Sequence, residues 1–403
     1  MNRKLKLLSL AASLALSLSG THALAAGKYG PGANDKEVKV GNMVPYSGGA
    51  SAYGNIGKAL TAYFKGINEA GGINGRQINF ISLDDAYSPP KTVEQARKLV
   101  EQEQVLFITA PLGTPPNSAI HKYMNQKKVP QLFVNTGAHK WGDPKNFPWT
   151  MGLQPDYQVE GKIYADHILK NNPNAKIAIL YQNDDYGKDY VKGMEDGLGA
   201  KKGMIVSKAS YETTDPTVSN QMVTLKSSGA DTFFNVTTPK WAAQAIKIAA
   251  ELGWKPTHYL NSVSSSVGSV MIPAGAENGI GVISSNYFKD PADPLWANDK
   301  GFLEYKAWLE KNMPGANITE GFYVSGYIHA AATAQVIRQA GDDLTRANIM
   351  KQAANLKNFE NGMLLPGVKL NTSPTDFYPV ENKQLMKWNG KSWEMFGEVL
   401  GPK

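Results

Sequence analysis

Residues 38–54 read VKVGNMVPYSGGASAYG, a passage from an apolar run through a glycine turn into polar, helix-opening sequence. Val38, Val40, Met43 and Val44 have the length and composition of a central strand in a parallel sheet. Tyr46, Ser47, Gly48 and Gly49 follow where the chain must reverse at the strand's carboxyl end, and Tyr53 stands where a helix begins. Ligands of open α/β sheets sit outside those strand ends. Small residues let a ligand approach the backbone, Ser47 brings a hydroxyl, and Tyr46 and Tyr53 bring flat walls with a polar tip. An ordinary strand-to-helix turn has the same composition, so the recurrence of the pattern decides.

It recurs. From residue 37 to about 290 strand-like and helix-like segments alternate with short connections, the sequence form of a doubly wound parallel sheet. Ile56, Leu60, Tyr63, Phe64 and Ile67 share one face of a first helix that stops at Gly71-Gly72. A strand at 78–83 leads through Asp84-Asp85 to Ser88, a candidate cap, and to Pro89 at the first position of the next helix. A strand at 106–109 runs into Leu112, Gly113 and Thr114, and one at 131–134 into Asn135, Thr136 and Gly137. Four successive strand ends therefore offer hydroxyls, backbone N–H groups and helix N-termini, and their convergence predicts a cleft for a small carboxylate. Near residue 151 the pattern restarts. Strands at 176–181, 232–236 and 258–260 each end in a polar loop, carrying Tyr186, then Thr237 and Thr238, then Asn261 to Ser266. A second α/β lobe facing the first would close with it on a ligand.

The first 25 residues are expected to be a secretory signal peptide, with basic Arg3, Lys4 and Lys6, an apolar stretch from Leu7 to Leu18 and an Ala-Leu-Ala cleavage site at 23–25. No later segment has the apolar length of a membrane span, so an exported soluble protein is expected. The chain has no cysteine, which excludes thiolate metal sites and cysteine nucleophiles. Its formal charge of +7 includes the three basic residues of the leader, and the other basic residues are scattered, so no nucleic-acid footprint is present. No cofactor is implied. The chain has no HExxH, G-x-S-x-G or phosphate-loop pattern, and of its histidines only His139 falls beside the expected cleft. His121 and His167 fall within helices as packing or surface residues.

The order of VGNMVPYSGGASAYG, INEAGGINGRQI, DDAYSPPKTVEQARKLV and YQNDDYGKDY resembles the branched-chain amino-acid type of periplasmic solute-binding protein, which serves ABC importers. The resemblance implies an α/β fold of the type I periplasmic binding protein kind, two Rossmann-like lobes joined by three crossovers near 153–157, 285–291 and 364–372. Residues 26–155 and 289–366 would form lobe 1, and 156–288 and 367–403 lobe 2. The helix at 320–340 would return to lobe 1, and 384–388 with 392–396 would form a hairpin in lobe 2. It further implies a small-molecule ligand, a membrane permease as partner, a monomer and no catalysis.

By the same resemblance the ligand carboxylate falls to Leu112, Gly113 and Thr114, with Asn135, Thr136 and Gly137 beside them. Tyr53 and Tyr186 match the tyrosines that open each lobe, and Thr237 and Thr238 replace an aromatic residue common in amino-acid binders. At 261–264, where those binders usually carry a glutamate for the ligand's ammonium group, this chain reads Asn-Ser-Val-Ser, with Ser262 and Ser264 as the polar groups. A buried ammonium without a partner is costly. The expectation is therefore an aromatic acid of the benzoate or hydroxycinnamate type, stacked on Tyr46, Tyr53, Trp141, Tyr186, Tyr287 and Phe288. A branched-chain amino acid remains the alternative, with Asp84, Asp85 or Asp184 supplying the charge. A sensor role and an exported enzyme are further alternatives.

Overall fold

The computed structural model describes residues 27–402, so the expected leader lies outside the described residues. Val38, Val40, Met43 and Val44 are fully buried in the strand Glu37–Val44. It lies between Gln77–Asp84 and Phe107–Thr109, and Gln131–Val134 and Thr150–Gly152 complete a five-stranded, wholly parallel sheet. A strand covered on both faces must be apolar throughout, which is why the run at 38–44 is nearly continuous.

The second sheet has seven strands, in the order Trp393–Leu400, Lys383–Trp388, Ile283–Asn286, Thr257–Leu260, Thr232–Val236, Ile177–Gln182 and Ile205–Tyr211. Its last five are parallel, while the closing hairpin adds two antiparallel strands at one edge. This is the expected doubly wound pair of lobes. Three strands the sequence did not announce complete it: Thr150–Gly152, Ile205–Tyr211 and Ile283–Asn286. Each lacks an apolar run, being three residues long, alternating at an exposed edge, or reading Ile-Ser-Ser-Asn.

Helix packing follows from small residues. The helix Gly321–Ala340 lies against Gly54–Glu69, and a β-carbon at Gly326 would come within 2.6 Å of the Ile56 carbonyl, so only glycine allows that crossing. Its alanines are buried because neighbours surround it on most sides. Ser88 precedes Pro89 as expected, yet its side chain makes no capping bond; the Thr92 hydroxyl donates instead to the Ser88 carbonyl and to Asp85.

The chain passes between the sheets three times. It leaves the first sheet after Gly152 and the second after Asn286, and it reaches the second sheet again at Lys383. Leu370, Phe377 and Val380 pack in the first lobe's core, and Phe359 pairs with Leu370 through backbone hydrogen bonds. On that packing the first lobe is proposed to run through Val380, beyond the boundary at 366 that the resemblance implied. Among the described residues no helix is long and apolar enough to cross a membrane.

Candidate functional site

The carboxyl ends of both sheets face each other across a cavity. The lobes touch around it: the Tyr53 hydroxyl donates to the Val263 carbonyl at 3.1 Å, Ser266 Oγ to Glu320 at 2.7 Å, and Lys140 meets Asp185 at 2.6 Å.

The first lobe supplies a neutral wall. Gly113 adopts φ +92° where the strand Phe107–Thr109 gives way to the helix Thr114–Gln126, and a β-carbon there would strike the Tyr87 ring. Glycine thus lets the loop pass close under that tyrosine. Thr114 Oγ1 and Thr136 Oγ1 lie 2.5 Å apart, so two adjacent strand ends present a linked pair of hydroxyls. Asn135 continues the row, bonding to Ser325 and Gln154. Tyr53 packs its ring on Phe322, with centroids 4.9 Å apart.

The second lobe supplies tyrosines and a charge. Tyr157 packs edge-on to Tyr186 at 5.4 Å. Burial raises the phenol pKa of Tyr53, Tyr87, Tyr157 and Tyr186, keeping all four as neutral hydrogen-bond donors. Behind Ser262 lies a buried ion pair between Lys383 and Glu160, whose side chains are 2% and 0% exposed. Glu160 also accepts from the hydroxyls of Tyr164 and Tyr190 and from the N–H and hydroxyl of Ser262. Lys383 Nζ donates to Ser262 Oγ at 2.5 Å and borders the cavity. Burial lowers the Lys383 pKa while Glu160 opposes that shift.

Of the residues named from sequence, Tyr53, Leu112, Gly113, Thr114, Asn135, Thr136, Tyr186, Thr238 and Ser262 line this one cavity. Tyr46, Ser47, Gly137, Thr237 and Ser264 stand outside its lining, and their polar groups are engaged elsewhere. Tyr46 bonds to Ser82 at 2.6 Å and Ser47 to Asp84 at 2.6 Å. The Gly137 carbonyl accepts from Tyr157 N, Thr237 donates to Asn235, and Ser264 donates to the Thr237 carbonyl. Trp141 is buried away from the cavity, whereas Tyr287 and Phe288 line it.

The three acids considered as replacements for a glutamate are also committed, and none lines the cavity. Asp84 accepts from Tyr46, Ser47, Ala86 and Lys91; burial raises its pKa, but these bonds outweigh burial and bring it below the carboxylate norm. Asp85 accepts from Tyr87 and Thr92, and burial pushes it up to about 6. Asp184 accepts from Gln182 and caps the helix Asp185–Leu198. His139 sits at the lobe junction outside the cavity, 2.5 Å from Asp156. His121 is a packing residue, stacked on Phe147 at 3.8 Å, and burial pulls its pKa to about 4.

Sequence reasoning did not identify Tyr87, Tyr157, Asp290, Ser325, Lys383 or Trp393 as cavity residues. Tyr157 and Asp290 follow strand ends, a signal that was present; Lys383 belongs to the hairpin, which offers none. A wall of hydroxyls and aromatic faces can hold a polar head on an apolar body. Among the described residues no group of three or more metal-ligating side chains occurs.

Known proteins share this architecture. A solved branched-chain amino-acid ABC transporter protein from Thermus thermophilus with bound valine superposes with a TM-score of 0.82 at 17% identity, covering 91% of this chain and 97% of that one. A solute-binding protein from R. palustris in complex with benzoate superposes with a TM-score of 0.77 at 20% identity, covering 91% and 98%. A Leu/Ile/Val-binding protein homolog of Brucella abortus is 23% identical over 343 residues, 82% of this chain and 84% of that one. The profile described as periplasmic binding protein matches residues 37–392. That span holds the first sheet, six strands of the second, the crossovers and all but Trp393 of the cavity lining, and the chain belongs to the periplasmic binding protein family.

Proposed function

We propose that this chain is the exported, periplasmic substrate-binding component of an ABC import system, capturing a small carboxylate with an aromatic body and delivering it to a membrane permease. It acts as a monomer and performs no catalysis. The observation that carries the ligand class is the linked hydroxyl pair of Thr114 and Thr136 beside the Gly113 backbone, a row of neutral donors at two strand ends, while across the cavity the charge of Lys383 behind Ser262 is offset by Glu160 and no acid stands in the loop where an ammonium-binding glutamate would. The benzoate-bound neighbour supports the aromatic body.

The ligand docks first on the neutral wall of Gly113, Thr114 and Thr136. Contacts with Tyr157, Tyr186 and Ser262 are gained on closure, so closure is a population shift driven by that differential affinity. A second reading, a branched-chain amino acid, has support from the Brucella relative's name, the valine-bound neighbour and the free carboxylate oxygen of Asp290. A thermal-shift screen of ligand-stripped protein separates the two, since a ligand bound by the folded state alone raises the melting temperature. Benzoate- or cinnamate-like acids should shift it and leucine should not; a shift with leucine or valine alone would return the protein to amino-acid uptake.

A further inference from the structure

Three residues on the cavity wall hold buried side-chain polar atoms that find no hydrogen-bond partner: Tyr186 OH, Tyr287 OH and Asp290 Oδ2. Asp290 stands apart because its unpartnered atom belongs to an acid. It lies on the second passage between the lobes, is 6% exposed, and uses its other oxygen to accept from Ala292 N at 2.9 Å. That bond closes the local turn, a role asparagine would fill without burying an ionisable group, and the backbone N–H of Trp393 also favours the charged form. No lysine neutralises it: Lys289 bonds to Asp299 and the Gly362 carbonyl, and Lys383 to Glu160 and Ser262. Asp293, the acid beside it, carries the same sign. Burial pushes its carboxyl up to about 7.

At pH 8, above the value of about 7 at which this carboxyl ionises, a buried oxygen left unpaired in a ligand-sized cavity is an acceptor awaiting a donor, and binding is compared at that pH. We propose that Asp290 is a specificity-determining residue that selects ligands carrying a hydrogen-bond donor in addition to their carboxylate. This rests on the carboxylate reading given above. The carboxylate lies against the hydroxyl row of Thr114 and Thr136, and the donor, a hydroxyl or an ammonium group, reaches Asp290 Oδ2. Sites built to hydrogen-bond a substrate group reject the analogue lacking it far more strongly than an apolar pocket rejects a missing methylene.

The test is calorimetric titration of the ligand-stripped protein with matched pairs: benzoate against 3- and 4-hydroxybenzoate, and 4-methylpentanoate against leucine. At least one donor-bearing partner should bind tenfold or more tightly than its parent acid, and Asp290→Asn should reduce that ratio to threefold or less. The aromatic pair showing the ratio identifies the donor as a hydroxyl, and the aliphatic pair as an ammonium. Ratios near one in both pairs, or a ratio that survives Asp290→Asn, would overturn the assignment of Asp290 while leaving the carboxylate reading intact. If none of these acids binds, both fall. Circular dichroism of Asp290→Asn distinguishes lost selectivity from lost folding, and if that variant does not fold, Asp290→Ser is titrated in its place with the same ratios deciding.

Discussion

The two walls of the cavity solve the same task by different means. On the first lobe Gly113, Thr114, Asn135 and Thr136 are short, uncharged and bonded to one another at successive strand ends. On the second, long tyrosines stand in front of a buried Lys383–Glu160 pair with Ser262 between them. Hydroxyls can exchange partners with a ligand at little cost. A fully desolvated ion pair cannot, since removing one partner leaves an uncompensated buried charge. The first wall is thus suited to receiving a ligand from water, and the second to meeting it after water has gone.

The largest effect expected is on the charged wall. Glu160→Gln should destabilise folding by about 3–5 kcal/mol, read from urea unfolding midpoints, and pairing it with Lys383→Met should restore more than half of the loss. A cost below about 1 kcal/mol would mean that this wall is as forgiving as the other.

On the neutral wall the effect moves from stability to affinity. Thr114→Val keeps the shape and removes a hydroxyl, and should weaken carboxylate binding by about ten- to a hundredfold in calorimetry, the range for hydrogen bonds to charged groups. Thr238→Val should cost less, because that hydroxyl already serves Tyr211 and Gln182 within its own lobe. Equal losses would erase the distinction between receiving and closing walls.

The junction between the walls can be probed at Gly49, where a β-carbon would approach Trp241 of the second lobe to 2.7 Å. Gly49→Ala should weaken binding roughly tenfold by opposing closure, and leave the melting temperature of the ligand-free protein unchanged. A fall in that melting temperature would show that the ligand-free protein is already closed.

The last effect is a pH dependence. Asp290, raised to about 7, and Asp85, raised to about 6, hold their protons in the folded state at pH values where the unfolded chain has released them. Stability contributed by Asp290 is therefore present below about pH 4 and is lost as pH rises toward 7, with Asp85 adding the same sign between about 4 and 6. Melting temperatures at pH 5 and 8 should differ less in Asp290→Asn than in the parent; equal differences would place the titration elsewhere.

Much of the fold was legible because it rests on local signals. Apolar runs at 38–44, 131–134 and 232–236, punctuated by glycine and proline, are strands in the structure, and the alanine-rich segment from 321 is a buried helix. The strand Ile205–Tyr211 was hidden because an edge strand needs no continuous apolar run. The cavity was legible where it is built from strand-end loops, as at Gly113, Thr114, Asn135 and Thr136. Tyr46 and Ser47 have the same local sequence character, but Ser82 and Asp84 on the neighbouring strand take up their hydroxyls.

The sequence by itself determined the doubly wound class, the positions of most strand ends and the absence of an acid at 261–264, since each depends on residue type and spacing within a few turns of chain. Tertiary structure alone decided the charge of the cavity. Lys383 and Glu160 are separated by more than two hundred residues, and Asp290 is one acid among many in the chain. Only the meeting of a hairpin strand, a helix and an interlobe passage at one place makes the first two a buried pair and leaves one oxygen of the third unpaired. Periodicity records which face of an element is buried and carries no record of which distant charge lies opposite.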